Sequence, residues 1–486
     1  MTTAVRRRTK IVATVGPASD ATATLRSMIE AGMDMARISL AHGPVEQGLD
    51  RVTRVRAAAA DAGANVGVLI DLPGPKIRAA PFPEGGVLLQ DGARVRLVSA
   101  SGASTRSSDE TIAVDHAQVL DELQPGDLVA LGDGGVQLDI EAVHDAFAAA
   151  VVRSGGRLQG RPGVNLPPDR FGAPTPTAHD LRLLDAAVEA GVDAVAVSFV
   201  RDAQDIRAVR AAARDRELMI VAKIETKSAV DDIDAIIETA DGVMVARGDL
   251  GVRWPLEDVP HLQKRIIRSG VAYGRPVITA TQMLESMVHA PTPTRAEVSD
   301  VANAVFDGSS ALMLSAETAI GRDPVAAVRT MSTIAARAEA DFDFAGWGAR
   351  LGRHHSAMMA TASSAIRVTS AITAAAWRAA LDCDAAAIIC CTNTGHSARA
   401  IARHRPLAPI FAFTRSPRVA RQLSVAWGIN AVATVDYATT DEIVWFAVKD
   451  VVERGHAARG DIVVVLVGSP GDPEPTTDVL RLVRIR

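Results

Sequence analysis

Lys223, Ile224 and Glu225 close one hydrophobic run (218–225, LMIVAKIE), and Arg247, Gly248 and Asp249 close the next one (242–248, GVMVARG). If both runs are strands, side chains alternate with period two, so Lys223 and Glu225 share a face while Asp249 stands at the top of the neighbouring strand. Two carboxylates from adjacent strand tops, with few other ligands, suit a divalent ion that keeps several waters and bridges to substrate oxygens. That is the behaviour of magnesium, for which manganese can stand in. Spacing alone is equally compatible with a structural salt bridge from Lys223 to one of the carboxylates. Anion-binding groups gather at the same level: Arg37 near the end of an earlier run, Arg78 just after another, and an Ala246-Arg247-Gly248 turn whose backbone N–H groups can hold a carboxylate or phosphate. Of the 52 basic residues six are lysine, leaving 46 arginines, and two of those six lysines lie at strand tops. Further on, Thr279, Thr281, Ser315 and Glu317 end hydrophobic runs, although a lone threonine at a strand end is most often structural. These residues describe a basic, metal-holding pocket for a small, highly charged substrate.

Such residues need a scaffold that brings strand ends together. β-branched apolar runs followed by helical patterns occur at 10–16, 33–39 and 66–72, and again at 194–199, 218–225, 242–248, 276–282 and 311–318. Eight near-continuously hydrophobic strands, each followed by a helix, fit a closed parallel (β/α)8 TIM barrel, whose catalytic groups stand at the carboxyl ends of the strands. The first connecting helix should be capped by Ser19 or Asp20, bury Leu25, Met28 and Ile29, and stop at Gly32. Between Ala79 and Leu166 the helical period gives way to short strand-like stretches separated by Gly, Asp and Pro, the pattern of a small inserted β-barrel. Because it follows the third strand, it emerges at the catalytic end and reads as a lid. After residue 345 strand-like runs at 385–392, 409–414, 429–434, 461–468 and 481–485 indicate a separate open α/β domain. The expected division is 1–78 and 167–344 for the barrel, 79–166 for the lid and 345–486 for a C-terminal α/β regulatory domain.

The rest of the composition narrows the function. At 486 residues, 48% hydrophobic and 22% charged, with 57 acidic against 52 basic side chains and 3% aromatics, the chain has neither the basic field nor the stacking surface of a nucleic-acid binder. No apolar run reaches the roughly 18 residues of a membrane span. Arg6, Arg7 and Arg8 lead into a strand pattern and not into a signal core, so the expected compartment is the cytoplasm. Cys383, Cys390 and Cys391 lack the spacing of a disulfide framework or zinc site and read as reduced, buried thiols. His354 and His355, beside Gly352 and Arg353, read as solvated histidines of an interdomain segment.

Taken in order, TKIVATVGPAS (9–19), GPKIR (74–78), GVNLP (163–167), KIE (223–225), MVARGDLGV (244–252), ITATQMLESM (278–287), PTRAEVSDVANAVFDG (293–308) and LSAETA (314–319) resemble the pyruvate kinase family. The resemblance runs over essentially the whole chain. It implies phosphoryl transfer from phosphoenolpyruvate to ADP, giving pyruvate and ATP, on a barrel with an inserted lid and a C-terminal regulatory domain, and a homotetrameric assembly. It further implies that Glu225 and Asp249 hold the magnesium, that Lys223 neutralises the transferring phosphoryl and the enolate, and that Arg37 and Arg78 orient phosphates. Thr281 matches the hydroxyl beside the carbon that is protonated. Pro17 and His42 match the nucleotide side, where a second magnesium arrives with ADP.

The departures carry information too. Members of the family that need potassium use an Asn, a Ser and a Thr as oxygen ligands, with an acidic residue in the GPxIR segment. Here those positions read Ser39, Ala41, Leu72 and Lys76, with Asp71 retained. The implied reading is that the Lys76 ammonium supplies the charge that potassium otherwise brings. The competing reading is decay of the site. Pro73 and Pro162 stand where the family commonly has lysine, and Arg161 is the candidate replacement for the second.

In the C-terminal part, Thr392-Asn393-Thr394-Gly395-His396-Ser397 follows a strand and opens a helix, a geometry suited to one phosphate. It resembles the family's effector-phosphate loop, with Gly468 to Thr477 as its partner. Two rival functions share the barrel: a lyase that uses the magnesium-stabilised enolate for carbon–carbon chemistry, and a non-catalytic paralogue that binds phosphoenolpyruvate or an effector.

Overall fold

The computed structural model describes residues 7–41, 43–75, 77–100, 105–132, 134–166, 174–214, 217–359, 363–435, 437, 439–468 and 476–486, with the backbone alone at 352–359 and 440. Eight parallel strands close into a barrel: Lys10–Thr14, Met35–Ser39, Gly67–Leu72, Ala194–Val197, Met219–Ile224, Gly242–Ala246, Val277–Ala280 and Ala311–Leu314. Closure is made by the first strand, which pairs with the eighth from Lys10 opposite Ala311 to Ala13 opposite Leu314.

Period-two alternation divides each strand between two cores. Val12, Met35, Leu69, Ala194, Ala196, Met219, Val221, Met244, Ile278 and Met313 fill the lumen. Their neighbours Ile11, Ala13, Ile70, Val195, Val197, Ile220 and Ala222 face the surrounding helices. The lumen residues set the register of the site above them. Thr14 follows Val12, Arg37 follows Met35, Asp71 follows Leu69 and Lys223 follows Val221, each two residues on and therefore on the inner face.

The strands are shorter than their hydrophobic runs wherever chemistry begins. The sixth stops at Ala246 because Arg247–Arg253 is already helical, and the seventh stops at Ala280 because Thr281 and Gln282 adopt φ of 71° and 51°. The first helix, Thr22–Ala31, buries Leu25, Met28 and Ile29 and ends at Gly32 with φ 118°. Its N-cap is Ala21, with no side-chain cap, and neither Ser19 nor Asp20 serves there. The Ser19 hydroxyl accepts the Gly16 N–H instead (3.1 Å), and Asp20 lies beside Arg51 and Arg54.

The insertion forms a six-stranded sheet in the order Val164–Asn165, Leu128–Leu131, Val136–Val143, Ala148–Ser154, Arg94–Ser99, Thr111–Val114, plus a ribbon of Val87–Leu89 with Gly156–Leu158. The outer two strands of that sheet are joined through residues 77–80, where Arg78 pairs with Gly163 and Ala79 with Val114. Leu97, Ile112, Val129, Leu138 and Val152, with Ala79 of the entering segment, make a core of its own. A Cβ added to Gly134 would stand 3.1 Å from Val252, so the insertion reaches the helix that carries Asp249.

The C-terminal sheet runs Ile429–Ala433, Ile410–Thr414, Ala387–Cys391, Ile462–Val467, Val479–Arg484, with the last strand antiparallel. Cys390 and Cys391 are buried in it and Cys383 is half-buried, all free thiols. Helix Phe344–Met359 replaces the interdomain segment expected around His354 and His355, whose side chains lie outside the described residues.

This domain plugs the barrel floor. Val425 enters the lumen core, and the Gly67 N–H donates to the Ser424 hydroxyl at 3.2 Å. Gly67 must be glycine, because a Cβ there would lie 2.6 to 2.8 Å from Met35 Cε, the Arg421 carbonyl and Ser424 Oγ. Asp193, fully buried, ties the floor together by accepting from Arg56 (2.7 Å), Arg421 (2.9 Å) and the Val68 N–H (2.8 Å). Removing that carboxylate takes an acceptor from Arg421, from the Val68 amide and from Arg56, which keeps only the Val66 and Gly191 carbonyls. Asp193→Ala is expected to cost about 3 kcal/mol, read as a lowered urea midpoint, and a loss below about 1 kcal/mol would show that the floor is held mainly by apolar packing.

Candidate active site

Strand tops meet at the mouth of the barrel, where five charged side chains share one depression. Lys223 Nζ donates to Ser198 Oγ at 2.6 Å and lies 3.5 Å from Asp71 Oδ1 and 3.6 Å from Glu225 Oε1. Arg37 grips the same Asp71 through NH2 at 2.7 Å and Nε at 2.8 Å, and its NH1 reaches Thr14 Oγ1 at 3.0 Å. Burial by itself would raise Asp71, but the Lys223 and Arg37 charges outweigh it and hold the carboxyl below its ordinary value. Burial likewise opposes the Lys223 ammonium, yet Asp71, Glu225 and Asp249 hold it above its ordinary value, so it is charged throughout the neutral range.

Glu225 behaves oppositely. It is wholly buried, Oε1 accepts the Phe199 N–H at 2.6 Å, and Oε2 has no hydrogen-bond partner. Burial, with the Asp249 carboxylate adding to it, pushes Glu225 up to about 8 against the pull of Lys223. A buried carboxylate with an orphaned oxygen facing a second carboxylate is a pair short of a cation. The residues therefore fit a divalent ion held by Glu225 and Asp249. Among the described residues no cluster of three or more His, Cys, Asp or Glu is placed to hold a metal ion.

The seventh strand supplies Thr281 in a left-handed conformation that a β-branched residue rarely adopts. Arg247 keeps it there. Its guanidinium donates to the Thr281 carbonyl at 2.6 Å and the Gln282 carbonyl at 3.2 Å, and is anchored on Asp300 at 2.7 Å. The Thr281 hydroxyl accepts the Gly248 N–H at 2.8 Å and lies 2.6 Å from the Ala280 carbonyl, to which it donates. The Ala246-Arg247-Gly248 turn thus has its Gly248 donor engaged, and the Arg247 side chain is spent on the Thr281 segment.

Not every expected residue converges. Arg78 is half-buried at the root of the insertion and donates to the Arg161 carbonyl at 3.2 Å, so it meets the lid and not the Lys223 cluster. Arg161 pairs with Asp115 at 2.8 Å in solvent and does not take over for Pro162. Pro17 sits exposed on the turn after the first strand, whereas His42 and Lys76 lie outside the described residues. Thr279 bonds Ser309 at 2.7 Å, and Glu317 accepts the Leu284 and Ser315 N–H groups, so both are structural. At the C-terminal loop the Gly395 N–H donates to Thr392 Oγ1, Asn393 and Thr394 are exposed, and Ser397 meets Thr477 at 2.6 Å across to the partner loop, of which 469–475 are outside the described residues. Burial, followed by the charges of Arg399, Arg275 and Arg403, pushes His396 down to about 4.

Ser198, Phe199, Asp300 and Thr14 were not assigned roles from the sequence. A polar residue ending the run AVAVSF marked Ser198, but nothing local marked Phe199, whose backbone amide is the group that serves Glu225.

Comparison with known proteins agrees with this geometry. Residues 6–328 match the family model described as pyruvate kinase, barrel domain, and residues 370–483 match pyruvate kinase, alpha/beta domain. Pyruvate kinase from Geobacillus stearothermophilus is 38% identical over 484 residues, covering 98% of this chain and 80% of that protein. That of Methylorubrum extorquens is 39% identical over 477 residues, covering 98% and 97%, and that of Clostridium acetobutylicum 36% over 483 residues, covering 98% and 99%. Neither the lyase nor the non-catalytic reading finds support among such relatives. With the strand-top cluster and both domain matches in place, the chain belongs to the pyruvate kinase family and is a phosphotransferase of that family's reaction, phosphoenolpyruvate and ADP to pyruvate and ATP.

Proposed function

We propose that the enzyme runs this reaction in the Lys223 depression with magnesium as its divalent ion and without a need for potassium. The observation that carries the reading is the Lys223 ammonium fixed between Asp71 and Glu225 at the barrel mouth. Family membership brings a divalent metal ion, and Glu225 and Asp249 are the residues that would hold it. When bound, it supplies positive charge to the substrate's carboxylate and phosphate oxygens.

The chain's own groups do the rest. Arg37, oriented by Asp71 and Thr14, faces the phosphoryl group. Lys223 neutralises charge on the phosphoryl as the P–O bond to the enol oxygen breaks and a bond to the ADP terminal phosphate forms, and it then stabilises the enolate oxygen. The Thr281 hydroxyl stands beside the carbon that gains a proton as enolate becomes pyruvate. Arg247 and Asp300 act as positioning residues behind it. Pro17, His42 and Arg78 serve the nucleotide side, with Arg78 coupling it to an inserted lid over 79–166. The barrel is then 1–78 with 167–344, and 345–486 is a regulatory domain whose loop 392–397 takes an effector phosphate. Homotetrameric assembly and a cytoplasmic setting complete the reading.

Potassium independence is supported by residue type at four positions, Ser39, Ala41, Leu72 and Lys76, and by the use already made of Asp71. Its carboxylate is held by Arg37 and Lys223, so little is left with which to ligate a monovalent cation. Turnover in buffer free of potassium and ammonium should equal that with potassium added. Activation by potassium of about tenfold or more would overturn the charge replacement by Lys76.

Lys223→Met should lower turnover on the order of a thousandfold while leaving divalent-ion binding, measured by calorimetry, largely intact. Undiminished turnover in that variant would remove Lys223 from the chemistry.

Glu225, held protonated up to about pH 8 in the free enzyme, must lose its proton to ligate a cation. Magnesium affinity should therefore rise with pH, by up to about tenfold per unit, and level off above about 8. Proton release, read by titration in two buffers of different ionisation heat, checks this. An affinity that stays flat from pH 6 to 8 would assign the metal elsewhere.

A further inference from the structure

The fourth strand, Ala194–Val197, supplies no group that meets substrate in the proposed reaction, yet the two residues that follow it hold both charged side chains of the fifth. Ser198 Oγ accepts from Lys223 Nζ at 2.6 Å, and the Phe199 N–H donates to Glu225 Oε1 at 2.6 Å. Phe199 has φ of 56°, a left-handed conformation that an aromatic residue keeps only where its surroundings over-determine it. Two neighbours do so here. The Phe199 carbonyl accepts the Thr175 hydroxyl at 3.2 Å, and Gly74 leaves room for the turn, since a Cβ there would lie 2.8 Å from Phe199 Cδ2 and 3.0 Å from Ser198 Cβ.

Within this turn the Ser198 hydroxyl has one proton to give. The Leu72 carbonyl receives it at 2.7 Å, with Asp71 Oδ1 at 3.3 Å as the other acceptor in reach. Either choice turns a lone pair of the oxygen toward the ammonium. The Ser198 contact is also shorter than the distances from Lys223 Nζ to the carboxylates, which are 3.5 Å to Asp71 and 3.6 Å to Glu225. At those separations a carboxylate supplies attraction that changes slowly with position, whereas a hydrogen bond of 2.6 Å weakens steeply when it is bent or stretched. The carboxylates thus keep Lys223 charged, and the hydroxyl decides where the charge stands. Ser198 is 2% exposed, so bulk water does not share that task.

We propose that Ser198 is a positioning residue for phosphoryl transfer: its hydroxyl, anchored on the Leu72 carbonyl, fixes the Lys223 ammonium where charge develops on the transferring group. The proposal rests on the reading of Lys223 as the cation that neutralises that charge. Without the hydroxyl the ammonium keeps its carboxylate partners but loses its one directional contact with a neutral acceptor. A displaced cation forfeits stabilisation of the transition state more than binding of the ground state.

A double-mutant cycle on Ser198→Ala and Lys223→Met, followed by steady-state kinetics of the full chain with magnesium, separates this role from a structural one. Ser198→Ala should lower kcat about tenfold or more while changing KM for phosphoenolpyruvate by less than about threefold. Introduced into Lys223→Met, the same substitution should remove no more than about twofold of the residual turnover, because no ammonium is left to position. Magnesium affinity of Ser198→Ala, measured by calorimetry, should stay within about twofold of the parent, since Glu225 keeps the Phe199 amide. Equal fold losses in the two backgrounds, a kcat unchanged in Ser198→Ala, or a tenfold loss of magnesium affinity in that variant would each overturn the proposal. Undiminished turnover in Lys223→Met alone would instead overturn the catalytic reading, and the positioning role with it.

Discussion

The Lys223 ammonium is the constraint around which the barrel mouth is arranged. Three carboxylates, Asp71, Glu225 and Asp249, come close enough to act on it, and their mutual repulsion in a buried setting would be prohibitive without the two cations Lys223 and Arg37 between them. Three negative and two positive charges leave the depression one short of neutrality, and Glu225 meets that by binding a proton up to about pH 8. A site with that balance does not attract a highly anionic substrate by itself. If, as proposed, Glu225 exchanges that proton for a divalent cation, the local charge rises from zero to one positive, which would tie substrate recruitment to the metal through one carboxylate.

What holds Lys223 in place lies below it. The lumen is filled by Met, Ala and Val side chains of the same strand faces, so the inner-face position two residues above each is fixed by packing and not by a loop. The floor of that lumen is completed by Val425, a residue of another domain, and Asp193 and Gly67 allow that domain to approach within contact distance. Packing therefore runs without interruption from the C-terminal sheet through the lumen to the charged cluster.

Much of this was legible in the sequence because it follows from alternation. The eight hydrophobic runs named the eight strands, and the period of two put Lys223 and Glu225 on one face. Where the reading failed, the cause was a group with no side-chain signature or a partner far along the chain. Phe199 matters through its amide, the Asp300 that claims the Arg247 side chain is 53 residues away, and Ser19 was lost as a cap because it serves Gly16 within its own turn. Arg78 and Arg161 carry the right charge in the right segments, yet the one turns into the insertion and the other pairs with Asp115. Spacing assigns a residue to a strand top; only the fold says which neighbour claims it.

The two ends of the barrel handle buried charge in opposite ways. At the mouth, cations and carboxylates are interleaved, and the buried Glu225 Oε2 is left without a partner. At the floor, arginines are gathered with backbone carbonyls and indole rings as their neighbours, and donors on Arg399 and Arg405 are left over. An orphaned acceptor between carboxylates calls for a cation, and orphaned donors among guanidinium groups are its counterpart in sign. The same physical deficit, of opposite sign, thus stands at the two ends of the barrel, with the packed lumen as the material between them.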